Sequence, residues 1–167
     1  EKSGFQASFA PEQNVDLDAA YDGKEGRTIR WKRYASQDRL GQADLVQAVA
    51  PVSEAVAYAY AELNSTAGGP AQIRCGADDN LTVWLNGEKV FGREQWLNGI
   101  RLDRFTAPVV LQKGTNRLLV KVCQGPQHSN PAVSNNWTLQ IRICRPDGAG
   151  AGLTSLLPAV ADANGTK

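Results

Sequence analysis

The stretch GADDNLTVWLNGEKVFG, residues 76–92, decides the fold class because it reads as two short strands joined by a tight turn. Asn86 and Gly87 suit a type I′ hairpin, since both central residues of that turn need a positive φ angle. Val83 and Leu85 alternate with outward positions and share one face of the first strand. The stretch therefore predicts a β-hairpin with one buried face.

The same period-two alternation continues along most of the chain, separated by turn residues. Further strands are predicted at residues 27–34, 56–63, 71–75, 107–111, 117–123 and 137–144. Residues 36–50 predict a short helix or an edge strand, and their pattern does not separate the two. Short strands at this spacing, without a long amphipathic helix, favour an all-β antiparallel sandwich or barrel.

Side-chain size along the predicted strands indicates which positions are buried. Residues 56–63 alternate large side chains with alanines, so we expect both faces of that strand to be covered. Trp137 shares a face with Leu139, which predicts a core position, and Trp31 is also expected in the core. Cys75 reads as a small core residue.

Composition is that of a soluble globular domain: 167 residues, 42% hydrophobic and 21% charged, with a net charge of +1. This balance predicts no nucleic-acid partner, and no apolar run is long enough to predict a membrane span. The three cysteines, Cys75, Cys123 and Cys144, allow at most one disulfide, and with a single histidine they do not predict a zinc site.

The strand pattern stops near residue 146, which divides the chain in two. Residues 1–146 are expected to form the β-sandwich module. Residues 147–167 are rich in Ala and Gly and are expected to be a linker or C-terminal arm that leads to another domain.

Two motifs in order, VWLNGEKV at residues 83–90 and LQKGTNRLLVKV at residues 111–122, carry a family resemblance. The region of residues 10–146 resembles the galactose-binding-like β-sandwich (jelly-roll) domains attached to bacterial extracellular enzymes. It is similar to the sugar-binding domain of family 2 glycoside hydrolases and to accessory modules of large planctomycete-type multidomain proteins.

The resemblance implies a non-catalytic carbohydrate-binding or accessory module of a secreted or surface multidomain protein. Its partners would be a polysaccharide or oligosaccharide and the neighbouring domains of the parent protein. Its location would be extracellular, cell-surface or periplasmic. The alternative is a structural interdomain sandwich, or a protein-interaction module, without a sugar ligand.

Two long loops, residues 92–106 and 124–136, are the expected place for a sugar site, because loops on a β scaffold commonly carry binding. A sugar site needs an aromatic ring for the sugar face and planar polar groups for the hydroxyls. Trp96 is the expected ring, although it is equally consistent with a plug at the end of the sandwich. The candidate sugar-binding residues are Trp96, Arg93, Arg101, Arg104, His128, Asn135, Asn136 and Asp79.

The adjacent acids Asp78 and Asp79 are too close in sequence to flank a glycosidic bond from opposite sides, as a glycosidase requires. No Gly-x-Ser-x-Gly motif accompanies the single histidine, His128. The sequence therefore predicts no enzyme. Asp78 and Asp79 also supply oxygen donors for a structural calcium ion, with turn chemistry as the alternative. No other cofactor is expected.

Overall fold

The computed structural model describes residues 4–95 and 99–156, and almost every regular element in them is a β-strand. The strands are β1 (Ala20–Asp22), β2 (Thr28–Arg30), β3 (Ala43–Asp44), β4 (Ala55–Ser65), β5 (Gly69–Asp78), β6 (Asn80–Leu85), β7 (Glu88–Arg93), β8 (Phe105–Leu111), β9 (Gly114–Gln124), β10 (Thr138–Cys144) and β11 (Leu153–Ser155). Two short helices, α1 (Ala10–Gln13) and α2 (Leu45–Ala48), and a 3₁₀ turn at Lys24–Gly26 complete the set.

The strands form two packed antiparallel sheets and a separate hairpin, so the predicted β-sandwich is confirmed. One sheet has four strands in the order β3-β10-β5-β8, and the other has five in the order β11-β4-β9-β6-β7. β1 and β2 pair only with each other. The core between the sheets includes Ile73, Cys75, Ala77, Leu81, Val83, Val120, Val122, Trp137 and Leu139, all nearly inaccessible to solvent.

The hairpin predicted at residues 76–92 is present as β6 and β7. Asn86 and Gly87 both have positive φ, 54° and 85°, as a type I′ turn requires. The Asn86 side chain also ties the turn to β9, because its Oδ1 accepts the Arg117 N–H over 2.8 Å. Its Nδ2 donates to Asn116 Oδ1 over 3.1 Å. The turn is therefore fixed by a neighbouring strand as well as by its own backbone.

β4 has one small and one large face, and both are covered, as expected. Its alanines pack against the core between the sheets. Its large side chains point to the outer side, where residues 4–34 lie across them. Trp31 packs on Tyr60 with ring centroids 6.2 Å apart, and its Nε1 donates to Tyr21 Oη over 3.3 Å. Trp31 is thus half-buried on the outside of the sheet, and its predicted core position is wrong.

A buried lysine of β9 holds the N-terminal segment in place. Lys121 is 1% exposed, and its ammonium donates to the carbonyls of Phe5 and Ala7 over 3.2 and 2.5 Å. It also pairs with the Glu12 carboxylate at 2.8 Å and lies 5.2 Å from the centre of the Phe9 ring. Each donor of the charged group thus has an acceptor, which a buried charge requires.

Three other regions add detail to the predictions. Residues 36–50 contain both proposed elements, because β3 runs directly into α2. The strand predicted at residues 27–34 is shorter, only Thr28–Arg30. β11 pairs with β4, so the five-stranded sheet includes residues beyond the boundary predicted at residue 146. The rest of the predicted C-terminal arm, residues 157–167, lies outside the described residues.

All three cysteines are free thiols and all are buried. Cys75 points into the core, as predicted. Among the described residues, no helix combines the length and apolar character needed to span a membrane.

Candidate functional site

The chain crosses from one sheet to the other at Asp79, the residue between β5 and β6. The Asp78–Asp79 peptide bond is cis. The Asp79 N–H donates to the Cys123 carbonyl over 3.2 Å, which fixes the crossover to the end of β9. The acid pair of the opening stretch therefore lies at the end of the sandwich where the two sheets join.

Both carboxylates of the crossover bind the loop at residues 125–136. The Ser134 hydroxyl donates to Asp78 Oδ2 over 3.0 Å. The Gly125 N–H donates to Asp79 Oδ2 over 2.9 Å. The two acids also share a hydrogen bond between their side chains. This loop is therefore anchored at both ends by the acid pair.

The loop that follows β7 meets the same crossover. Asn80 Oδ1 accepts the Gln95 N–H over 2.5 Å, and the Gly99 backbone hydrogen-bonds to Asp78. Further along this loop, the Arg101 carbonyl approaches Gly76 so closely that a Cβ atom added there would lie 2.2 Å from the carbonyl oxygen. The crossover thus brings together the two loops that the sequence analysis selected.

Burial changes the acid-base behaviour of the crossover. Asp78 is 1% exposed, and burial, a hydrogen bond to Asp79 and the nearby charge of Asp79 raise its pKa to about 7. The hydrogen bonds from Ser134 and Gly99 act in the opposite direction. Two adjacent buried carboxyls favour sharing a proton, because both cannot be charged without cost. Burial beside Asp79 therefore favours the protonated form of Asp78.

The two carboxylates expected to hold calcium accept hydrogen bonds from the loop at residues 125–136. Within residues 4–95 and 99–156, no group of three or more His, Cys, Asp or Glu side chains is arranged to hold a metal ion. Turn and loop chemistry accounts for the contacts seen at Asp78 and Asp79, and calcium binding stays a prediction.

Buried polar atoms without a hydrogen bond also cluster at this end. In the described part of the chain they are Gln95 Nε2, Gln124 Oε1, Trp137 Nε1 and Thr138 Oγ1. Thr138 is the direct cross-strand partner of Asp78, and Gln124 immediately precedes the glycine that binds Asp79. Such atoms are normally satisfied by water or a ligand, so this end of the sandwich has hydrogen-bonding capacity left over.

The candidate residues of the second loop differ in what they can offer. The Asn135 side chain closes its own loop, because Oδ1 accepts the His128 N–H over 2.8 Å and Nδ2 donates to the His128 carbonyl over 2.9 Å. His128 and Asn136 are exposed. The imidazole of His128 and the amide of Asn136 are therefore presented to solvent on a loop that Asn135 keeps folded.

Two of the three candidate arginines of the first loop lie over one ring. Arg93 at the end of β7 and Arg104 just before β8 place their guanidinium carbons 5.5 and 5.6 Å from the centre of the Phe105 ring. Arg93, Arg101 and Arg104 are all exposed. Trp96, the expected ring of the site, lies outside the described residues.

Sequence reasoning missed a charged cluster on the outer face of the four-stranded sheet. Arg74 and Arg142 are direct cross-strand partners. Asp103 lies with them: its Oδ1 accepts Arg142 Nε over 2.8 Å, and its Oδ2 pairs with Arg142 Nη2 and, at 4.0 Å, with Arg74 Nη1. The alternation of β5 and β10 was a signal for this face, because residues between inward-pointing ones must point outward.

Gln140 completes that cluster and fixes the loop to the sheet. Its Nε2 donates to Asp103 Oδ1 over 3.1 Å, while its Oε1 accepts the Asp103 N–H over 3.0 Å. The hydrogen bonds from Arg142 and Gln140 hold the pKa of Asp103 below its usual value, against a smaller opposing effect of burial. Asp103 is therefore a charged anchor for the loop at residues 99–104.

A groove of about 630 Å³ lies elsewhere, near the turn at Asn86. Its lining includes Pro70, Leu85, Val90, Pro108 and Val110. Its lining also includes the polar residues Gln72, Asn86, Glu88 and Gln112, and none of the candidate sugar-binding residues.

Comparison of the chain with protein-family models, with curated proteins and with solved structures finds no match in any of the three.

Proposed function

We propose that the protein is a non-catalytic carbohydrate-binding or accessory module of a secreted or surface multidomain protein, with the galactose-binding-like kind of sandwich. Its location would be extracellular, cell-surface or periplasmic. The observation that carries the proposal is that two long polar loops are fixed to one crossover, at Asp78 and Asp79. Loops held on a rigid scaffold are the usual place for recognition in β-sandwiches.

The exposed candidate residues supply the chemistry that sugar binding needs. Arg101, Arg104, His128 and Asn136 present planar polar groups to solvent, and such groups bind pairs of sugar hydroxyls. Trp96 is the proposed ring for the apolar face of a sugar. Binding of this kind needs no covalent step, and it would concentrate linked domains near a polysaccharide.

Two features of the crossover support a non-catalytic function. Asp78 and Asp79 are adjacent, share a hydrogen bond and are both largely buried, whereas glycosidase carboxylates face each other across the substrate. The Ser134 hydroxyl donates to the Asp78 carboxylate, whereas a serine nucleophile donates to a histidine base.

The apolar rim of the groove near Asn86 favours the alternative, a structural or protein-interaction module. Val110 is 71% exposed at its rim, and exposed apolar surface of this kind commonly packs against another protein domain. In that case the neighbouring domains of the parent protein would cover the groove, and no sugar would bind.

Affinity electrophoresis of the isolated chain in gels that contain different polysaccharides tests the proposal. We expect at least one polysaccharide to retard the chain, and we expect Trp96→Ala to weaken that retardation. Absence of retardation in every gel would contradict sugar binding by this chain. A repeat with EDTA tests calcium, because a metal-dependent site would lose its binding.

A further inference from the structure

We propose that the outer face of the four-stranded sheet binds an acidic polysaccharide, with Arg74, Arg142, Arg101 and Arg104 receiving its carboxylate or sulfate groups. The inference rests on the proposed function and names its ligand class. These four arginines are defined here as the arginine face.

The centre of the arginine face is a pair of like charges. Arg74 and Arg142 stand directly opposite each other on β5 and β10. Like charges in this arrangement repel each other unless an anion lies between them. Asp103 supplies one negative charge against two positive ones, so the pair keeps a net positive charge.

The contact with Asp103 indicates which group the pair receives. Arg142 holds that carboxylate through Nε and Nη2, which is the two-point geometry that arginine uses for carboxylates and sulfates. In the part of the chain that the structure describes, Arg142 Nη1 makes no hydrogen bond within the protein. The Arg142 side chain is 46% exposed and that of Arg74 is 28% exposed, so a ligand can reach both.

The loop at residues 99–104 brings the other two arginines to the same face. Gln140 and Arg142 fix the loop through Asp103, and the Arg101 carbonyl rests on Gly76 in the middle of β5. Arg104 immediately precedes Phe105, which pairs with Cys75 of the same strand. Arg101 and Arg104 thus belong to a loop that is fixed to this face, and the Arg104 guanidinium lies over the Phe105 ring at the β8 edge of the sheet.

The other acids of these segments do not neutralise the arginine face. Asp44 accepts the Gln47 N–H at the start of α2, and Asp78 is buried at the crossover. The chain as a whole carries a net charge of only +1, so the positive potential is local. A polymer with regularly spaced anions matches several fixed arginines better than a single small anion does.

The test is affinity electrophoresis with matched pairs of polymers. Polygalacturonate is compared with its methyl-esterified neutral form, and dextran sulfate with dextran, at low and moderate salt. We expect retardation by the acidic member of at least one pair, weakening as salt rises. The two pairs distinguish uronate carboxylates from sulfates as the preferred anion.

A charge-matched pair of variants locates the binding. Arg101→Gln with Arg104→Gln removes two exposed arginines of the arginine face. Arg33→Gln with Arg39→Gln removes two exposed arginines elsewhere, in the chain before β3. We expect the first double variant to bind about tenfold more weakly or worse, since two charge-assisted hydrogen bonds are lost, and the second to bind like wild type.

Each contrary outcome has its own meaning. Equal weakening in both double variants would overturn the arginine face in favour of a net-charge effect. Retardation by neutral polymers alone would overturn this inference and leave the proposed function intact. Retardation by no polymer would contradict both. Equally strong binding of single-stranded DNA in the same gels would overturn specificity for a polysaccharide.

Discussion

The two sheets of the sandwich differ in what meets their outer faces. The chain itself covers the five-stranded sheet, where the buried ammonium of Lys121 holds residues 4–13 across β4 and β9. On the outer face of the four-stranded sheet lie the short loop around Asp103 and the turn at residues 146–148, which meets Gln72 and Arg74, and Arg142 is exposed to solvent. A charge on the first face serves folding, whereas charges on the second are available for a ligand.

Loss of the Lys121 contacts on the covered face of the five-stranded sheet should lower the stability of the protein most. Lys121→Ala removes the positive charge that pairs with Glu12 in that buried contact and leaves two backbone carbonyls without their donor. We expect a loss of about 3–5 kcal/mol in the free energy of unfolding, measured by chemical denaturation. The matched control is Arg117→Ala, whose pair with Glu62 is exposed to solvent, so we expect a much smaller loss. Similar losses in both variants would contradict the distinction.

Low pH should weaken the packing of residues 4–13 on the five-stranded sheet. Burial by itself raises the pKa of Glu12, but hydrogen bonds from Lys121 and Tyr58 outweigh that effect and hold the pKa below its ordinary value of 4.5. Stability from this carboxylate is therefore fully present above pH 4.5 and lost as the pH falls through the lower folded value. Limited proteolysis should cut residues 4–13 faster at pH 3 than at pH 6, and Glu12→Gln should reduce that difference.

The crossover should respond to pH in the opposite sense. The pKa of Asp78 is raised from 3.8 to about 7. The stability that this acid contributes is therefore fully present below its unfolded pKa of 3.8 and lost as the pH rises through about 7. Asp78→Asn imitates the protonated acid, because its amide can donate to Asp79. We expect this variant to exceed wild type by about 1–3 kcal/mol in unfolding free energy at pH 9. Asp22→Asn, an exposed acid at the end of β1, is the control and should show no such gain.

The outer face of the four-stranded sheet can be disturbed through the backbone of β5. Gly76→Ala would force a Cβ against the Arg101 carbonyl, and we expect a loss of about 1–3 kcal/mol as the loop moves. Gly150→Ala meets no atom within 4 Å and is the control, expected within about 0.5 kcal/mol of wild type. An unchanged thermal midpoint for Gly76→Ala would show that the loop is not packed on β5 as described.

The smallest effect on stability is expected at the exposed arginines. Arg101→Gln with Arg104→Gln should change the unfolding free energy by about 0.5 kcal/mol or less, because surface charges contribute little to folding. Polysaccharide binding by the same variant should fall. A large loss of stability would show that these side chains serve the fold, as Lys121 does.

The strands could be predicted because each depends on a local pattern. The alternation of β4, β9 and β10 and the Asn86-Gly87 turn are visible in short windows of sequence. The covering of β4 could not be predicted in detail, because Lys121 and its carbonyl partners are far apart in the chain. Trp31 was misplaced for the same reason: its period fits a core strand, yet the hairpin of β1 and β2 pairs only with itself.

The candidate site likewise combines features that a local pattern predicts with contacts that depend on residues far apart in the chain. Loop length and polarity selected both loops and the exposed residues Arg101, Arg104 and His128. The sequence did not show that Asp78 would bind Ser134 and thereby join the loops, because that contact depends on how the crossover directs two side chains. It also did not reveal Asp103 as the partner of two arginines, since that requires the register of β5 against β10.

The most direct test of the account is an NMR titration of the whole chain with a polygalacturonate oligosaccharide, or with a sulfated one if the gels favour sulfate. The account predicts amide shift changes concentrated at residues 72–76, 101–106 and 140–143. Residues 5–13, on the covered face, should remain unchanged. Shifts concentrated at residues 5–13, or no shifts at saturating ligand, would contradict it.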